Sequence, residues 1–301
     1  MKVGFVGLGA MGAPMTARLV AAFPGHVTVF DANADTLASV AAATGAESAT
    51  SLAGLASAVD VLLSCVPNNA VLREIYTSAD GIAPAIRPGT ISIDCSTVGP
   101  DATRDVYRAM QATGGTHLDA SMLGSVKQAT EGTISFVVGG DAKAFETAQP
   151  VLAACGQMIR HCGPSGAGNH MKLVHQTLVA GGAVAVAEAL GLCMETGADI
   201  ETFFDIVTQG TGFAYSRYFE NRVPRMRDGD FSSLFALTFM LKDARLARDM
   251  AQDADTKFPA LAEVVRSFEE AEASGHAQSD FSAVMKAVEA RIGKTVTKSG
   301  A

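Results

Sequence analysis

Gly7-Leu8-Gly9-Ala10-Met11-Gly12 lies between a β-branched run, Val3–Val6, and an Ala-rich run from Ala13 to Ala22. Each glycine in this spacing has its own task in gripping a dinucleotide. Gly7 permits a tight turn after a strand, Gly9 lets backbone approach a pyrophosphate, and Gly12 lets the next helix pack closely. Leu8, Ala10 and Met11 complete the loop, and the helix N-terminus presents N–H groups to the anion. Asp31 closes the next strand-like run, His26–Phe30. An acid about 20 residues past such a loop accepts hydrogen bonds from ribose hydroxyls. No Arg follows Asp31-Ala32-Asn33 to meet a 2′-phosphate, and the carboxylate would repel one. NAD is therefore expected over NADP. A second constellation is Gly168, Lys172, His175 and Gln176, whose spacing puts all four on one helix face. Most lysines on helices are solvated, but Met171, Leu173, Val174, Leu178 and Val179 surround this one. A lysine buried there needs a partner or a task. Proton transfer is such a task, provided that desolvation or a nearby cation lowers its usual pKa of ~10.4.

The elements that must position these residues follow from the hydrophobic pattern. Val3–Val6, Val27–Phe30, Val59–Ser64, Thr90–Asp94, Thr116–Asp119, Ile134–Val138 and Met158–His161 read as strands. Helical runs alternate with them: Ala13–Ala22, Ala34–Thr44, Ala70–Tyr76, Asp101–Thr113 and Ala142–Ala154. Such alternation predicts a mostly parallel sheet with helices on both faces. The strand ends Cys65-Val66-Pro67-Asn68 and Asp94-Cys95-Ser96-Thr97 then share the glycine loop's edge. Cys162-Gly163-Pro164-Ser165-Gly166 marks a boundary, beyond which strand signals vanish. A long helix is expected from about Gly168 to Thr196, ended by Gly197. Ile200–Thr208, Tyr215–Arg222, Leu234–Asp253, Ala260–Ser274 and Ser282–Arg291 follow as further helices. The expected fold is an α/β Rossmann-type doubly wound sheet, then an all-α C-terminal domain, joined by a long interdomain helix. The expected domains are 1–163, binding the dinucleotide, and 164–301, serving substrate and oligomerisation. Sites tend to lie where domains meet, so the start of the long helix is where a reacting group is to be sought.

The chain's 301 residues allow two domains. Its net charge of -8, without basic blocks, gives a nucleic-acid partner no electrostatic support. Met1-Lys2 leads straight into a strand, which leaves no room for a signal peptide. The apolar stretch Leu178–Met194 contains Glu188 and reads as a buried helix, not a membrane span. Five cysteines at irregular spacing fit reduced thiols, and a cytoplasmic location is expected. His161-Cys162, and His170 with His175, lack the spacing of a zinc site, and no metal is expected. Asp228-Gly229-Asp230 reads as a turn. Arg217, Arg222, Arg225 and Arg227 read as a solvated face with local acidic partners.

Separated motifs along almost the whole chain resemble those of the β-hydroxyacid dehydrogenase family, which includes 3-hydroxyisobutyrate dehydrogenase. They are Gly4–Met15, Asp94-Cys95-Ser96-Thr97 with Pro100, Asp119 through Gly132-Thr133, Gly166–Lys172, and Phe235 to Lys242-Asp243. The resemblance implies hydride transfer between a nicotinamide cofactor and a small hydroxyacid, with Lys172 as general acid/base. It further implies cofactor contacts at Val66, Pro67, Asn68, Thr97, Phe235 and Lys242, beside Gly7–Gly12 and Asp31. Substrate contacts are expected at Ser96, Gly124, Ser125, His175 and Gln176. Asp243 is expected to support the Lys242 region, and a homodimer or homotetramer is expected as the assembly.

Two departures bear on the substrate. The family's Asp-x-Pro-Val-Ser-Gly-Gly loop reads Asp119-Ala120-Ser121-Met122-Leu123-Gly124-Ser125 here, so Leu123 stands where a carboxylate-binding hydroxyl would be. His175-Gln176 replaces the usual Asn-Asn and resembles the threonate-type subgroup, as does Asn221-Arg222-Val223-Pro224. A 3-hydroxyisobutyrate-like acid or a C4 sugar acid such as threonate is expected. A semialdehyde or imine reductase on the same scaffold and a non-catalytic NAD-binding regulator are the rival readings.

Overall fold

The computed structural model describes residues 1–251 and 254–296, and the chain divides into two compact units, Met1–Lys172 and Leu173–Ala301. In the first unit eight strands form one sheet: β1 (Val3–Val6), β2 (Val27–Phe30), β3 (Glu47–Ser48), β4 (Val61–Ser64), β5 (Ile91–Asp94), β6 (Thr116–Leu123), β7 (Ile134–Gly139) and β8 (Gly156–Gly163). Their order is β3-β2-β1-β4-β5-β6-β7-β8. Every neighbouring pair is parallel except β6 with β7. The order reverses between β1 and β4, and the crevice outside the carboxyl ends of strands at such a point is where ligands bind.

Helices cover both faces, as the alternation predicted. α1 (Gly12–Ala22), α2 (Ala34–Thr44), α3 (Leu52–Ala58), α4 (Asn69–Thr77), α5 (Ile82–Ala85), α6 (Pro100–Ala112), α7 (Val126–Glu131) and α8 (Ala142–Cys155) complete the unit. Met15 and Leu19 of α1 join Ala148 and Leu152 of α8 in the core on one face. Leu55, Leu72, Ile82 and Val106 build the other. β3, α3, α5 and α7 escaped the sequence reading because they are short. A strand of two residues, or a helix of one to two turns such as α5, α7 or α3, carries little readable period.

The ninth helix, α9 (Ala167–Thr196), runs close to its expected bounds and stops before Gly197, whose φ of 75° suits a residue without a side chain. Its N-terminal residues belong to the first unit and the remainder to the second. The second unit continues with α10 (Ile200–Gln209), α11 (Arg217–Arg227), α12 (Leu237–Asp249), α13 (Ala254–Lys257) and α14 (Pro259–Ala271). A π turn (Glu272–His276), a 3-10 turn (Phe281–Val284) and α15 (Met285–Ile292) end it. Ala183, Val184, Ala187 and Leu190 of α9 pack in its core with Leu241, Val265 and Phe268. By length and composition α9 would also suffice to cross a membrane, with 39% of its apolar window buried in the structure.

Four helices start or end three or more residues from their expected bounds. α14 stops at Ala271, short of Ser274, where the π turn takes over. α15 starts at Met285, after Ser282, because Phe281–Val284 winds as a 3-10 turn. α11 passes through Pro224, one backbone bond lighter, because Val223 and Met226 on either side are fully buried. α12 begins at Leu237 and not Leu234, because the Asp280 carboxylate captures the N–H groups of Leu234 and Phe235 at 3.2 Å and holds the two residues in a bend ahead of the helix. Gln252 and Asp253, the end of the expected Leu234–Asp253 helix, lie outside the described residues.

Candidate active site

The glycine loop is shaped by close approach of backbone. Gly7 follows β1 at φ +90°, and a Cβ there would lie 2.2 Å from the Cys65 carbonyl oxygen. A Cβ on Gly12 would sit 1.9 Å from the Gly7 carbonyl oxygen. At Gly9 it would meet nothing within 4 Å. Gly7 and Gly12 therefore serve the protein's own packing, whereas the open side of Gly9 is available to a ligand. No side chain caps the N-terminus of α1 at Met11. Uncapped N–H groups beside an open glycine fit a pyrophosphate. Asp31 stands at the end of β2, its carboxylate accepting from the N–H of Leu8 at 2.7 Å and of Asn33 at 2.8 Å. The residues present fit a dinucleotide.

The ends of β4 and β5 are tied together by Ser96. Its buried hydroxyl donates to Asp94 Oδ1 at 2.6 Å and accepts the Val66 N–H at 2.8 Å. Ser64 Oγ also donates to Asp94 Oδ1, at 2.8 Å, while Asp94 Oδ2 has no hydrogen-bond partner. Burial raises the Asp94 carboxyl to about 6 against the lowering effect of these donors. Pro67 and Asn68 are exposed beyond β4, and Asn68 Oδ1 caps α4 by accepting from Val71 N–H at 3.0 Å. Thr97 is half-buried beside Ser96.

Lys172 is 8% exposed on the first turns of α9. Two buried residues beside it bind the start of that helix. Asp119 Oδ1 accepts the Gly166 N–H and Oδ2 the Asn169 N–H, both at 2.8 Å. Asn169 Oδ1 accepts from Ser121 Oγ at 2.9 Å and Val98 N–H at 3.2 Å, while its Nδ2 donates to Thr103 Oγ1 at 3.0 Å. Sequence reading placed Asp119 and Asn169 in motifs without assigning either a task. Their pairing could not be read, since the partners lie 47 to 71 positions apart.

Past β6, Gly124 has φ +152° and leads into exposed Ser125. Ser125 Oγ and N–H both face Gln128 Oε1, at 2.5 and 2.9 Å, so this hydroxyl is directed to its own helix α7. In the second unit Gln176 is 4% exposed and donates through Nε2 to Asp243 Oδ2 at 2.7 Å. Lys242 Nζ lies 2.8 Å from Asp243 Oδ1, so this one buried carboxylate holds both. His175 Nδ1 faces Gln176 Oε1 at 3.2 Å. Phe235 stacks at 6.1 Å against Phe281 in an edge arrangement. The arginine cluster is not the solvated face expected. Arg217 is exposed, but Arg222, Arg225 and Arg227 are largely shielded by packing and pair with Asp280, Asp230 and Glu201, the first and last of these partners lying far off in the sequence.

Two family models match. Residues 2–163 match the NAD binding domain of 6-phosphogluconate dehydrogenase, and residues 166–288 match the NAD-binding domain of NADP-dependent 3-hydroxyisobutyrate dehydrogenase. The 2-(hydroxymethyl)glutarate dehydrogenase of Eubacterium barkeri is 32% identical over 300 residues, 99% of this chain and 98% of that one. The chain belongs to the β-hydroxyacid dehydrogenase family. Another member, the L-threonate dehydrogenase of Cupriavidus necator, is 33% identical over 95% of each chain. The structure of the 3-hydroxyisobutyrate dehydrogenase of Mycobacterium tuberculosis with L-serine superposes with a TM-score of 0.84. It is 33% identical and covers 95% of this chain and 98% of that one. As a β-hydroxyacid dehydrogenase the protein is an oxidoreductase of CH–OH groups that binds NAD or NADP and acts on a small molecule. The Rossmann-type sheet followed by an all-α region agrees with the fold expected from its alternating pattern.

Proposed function

We propose that the protein oxidises the hydroxyl carbon of a small hydroxyacid, 3-hydroxyisobutyrate-like or a C4 sugar acid such as threonate, with Lys172 as general acid/base. The bound nicotinamide supplies the hydride acceptor, or the donor in reverse. Lys172 Nζ takes the proton of the substrate hydroxyl and returns it in the opposite direction. What supports this role is a lysine only 8% exposed on a helix whose start is held by two buried polar residues.

The same reading takes NAD as the preferred cofactor, because the Asp31 carboxylate would face the extra phosphate of NADP. Gly7–Gly12, Val66, Pro67, Asn68, Thr97, Phe235 and Lys242 are proposed as cofactor contacts. Ser96, Gly124, Ser125, His175 and Gln176 are proposed for the substrate. Leu123 in place of a hydroxyl, and Gln176 in place of a shorter amide, favour a substrate other than the commonest of the family. Cytoplasmic residence, domains at 1–163 and 164–301, and a homodimer or homotetramer belong to the same proposal.

The test is NADH formation at alkaline pH across 3-hydroxyisobutyrate, glycerate, threonate, erythronate and serine, with Lys172→Ala in parallel. Loss of about 10²–10⁴-fold in kcat with NADH binding retained is the expected result. Undiminished turnover in the variant would remove Lys172 from the chemistry. Tight NADH binding without turnover on any member of the panel would overturn the substrate class.

A further inference from the structure

We infer that Asp119, acting with Asn169, is the positioning residue for Lys172. The inference rests on the proton-transfer reading of Lys172 and adds what sets that group in place.

The first N–H groups of a helix have no partner within it and are ordinarily capped by a residue just before it. At α9 the cap comes from elsewhere in the chain. Asp119, on β6, accepts from Gly166 N–H with one oxygen and from Asn169 N–H with the other. A carboxylate at a helix N-terminus is also stabilised by the helix dipole. Two glycines clear the space for this approach. A Cβ on Gly168 would lie 2.5 Å from the carbonyl oxygens of Asp119 and Val137. One on Gly139 would lie 2.6 Å from Asp119 Oδ1 and 2.7 Å from the Ala167 nitrogen. The start of α9 is thus pressed onto β6 and β7 as closely as backbone allows.

Asn169 continues the attachment from the helix side. It is fully buried, its amide oxygen accepting from Ser121 on β6 and from the Val98 N–H after β5 while its nitrogen donates to Thr103 on α6. Lys172 comes three residues later, on the adjoining part of the same face. The helix turn that carries Lys172 is therefore fixed in position and rotation against β5, β6 and α6. Neither Asp119 nor Asn169 need touch the reacting atoms to govern where Nζ stands. A misplacement of about 1 Å at a reacting group costs on the order of 10²-fold in rate.

The experiment compares Asp119→Asn with Thr103→Val and Ser121→Ala, which each remove one partner of Asn169 and keep the cap. Asp119→Asn retains the shape but offers one oxygen where two N–H groups need acceptors. Four quantities are read: kcat and KM for the hydroxyacid, the NADH dissociation constant, the thermal midpoint, and the pH profile of kcat/KM. Asp119→Asn is expected to lower kcat by about 10²-fold and to displace the acid limb of the profile. NADH binding is expected to be unchanged. Thr103→Val and Ser121→Ala are expected to move the same limb in the same direction by less.

An unmoved limb in all three variants overturns the inference. So does a fall in kcat that only tracks loss of NADH binding or of the folding transition. If Asp119→Asn shows no cooperative melt, the two milder variants decide, and parental kcat and limb in both overturn it. Lys172→Ala is measured alongside. Parental turnover there overturns the proton-transfer reading itself, an outcome separable from loss in Lys172→Ala with none in the Asp119 series.

Discussion

The Asp31 carboxylate holds the backbone N–H of Leu8 at 2.7 Å, so the acid at the end of β2 and the glycine loop after β1 form one rigid feature. In the cofactor reading proposed above, this bond keeps a negative charge beside the adenosine ribose of the dinucleotide. Two charges about 4 Å apart near a protein surface repel by roughly 4 kcal/mol at an effective dielectric of about 20. Asp31→Ser removes that repulsion together with an acceptor for the ribose hydroxyls. The ratio of kcat/KM for NADP over NAD is expected to rise by at least about tenfold, equivalent to ~1.4 kcal/mol. A parent that already prefers NADP would contradict the assignment.

Gly9 and Gly12 are expected to separate binding from stability. Gly12→Ala drives a methyl into the Gly7 carbonyl and should lower the thermal midpoint. Gly9→Ala meets nothing in the protein, so its midpoint should stay at the parent's while NADH affinity falls. Thermal melts and NADH fluorescence titrations of the two variants check this. A Gly9→Ala variant with parental affinity would place the pyrophosphate elsewhere.

Leu123 ends β6 one residue before Gly124. A serine there restores a hydroxyl that can bond a carboxylate, a contact worth roughly 1.5–3 kcal/mol. Leu123→Ser is expected to raise kcat/KM for 3-hydroxyisobutyrate by about 10–100-fold relative to threonate. Steady-state kinetics on both acids read the ratio, and an unchanged ratio would remove Leu123 from substrate selection.

Asp94 is expected to leave a mark on stability against pH. Burial raises its carboxyl from 3.8 to about 6, so between these values the folded chain holds a proton that the unfolded chain has released. Stability from this group therefore falls as pH rises from 3.8 to about 6 and levels off above. The change is on the order of 3 kcal/mol. Asp119, also raised to about 6 by burial, adds in the same direction. Denaturant unfolding of Asp94→Asn should show a shallower decline than the parent over that window. Equal slopes would mean that Asp94 titrates as it does in the unfolded chain.

What the sequence determined by itself was local. The glycine spacing, the β-branched runs with Ala-rich runs between them, and Gly197 as a stop all act through neighbours a few residues apart. Those interactions are legible without coordinates, and β1, β2, α2 and α9 stand within a residue or so of where they were expected. Of the apolar neighbours that made Lys172 stand out, Leu173 is buried but Met171, Val174 and Leu178 are exposed, so the burial of Lys172 itself was set by packing that its sequence neighbours do not record.

Tertiary structure decided what depends on groups distant in the chain. Asp280 reaches back 45 positions to delay the start of α12, a capture that no helical period records. β7 turns antiparallel to β6, although its run of apolar residues reads the same in either direction. Ser96 spends its hydroxyl on the Val66 N–H, 30 positions away, as well as on Asp94, a choice set by what folding brings within 3 Å. The cap of α9 by Asp119 belongs here as well. A buried carboxylate takes its partners from whatever backbone the fold delivers, because leaving it unpaired in a low dielectric would cost more than the fold can spare.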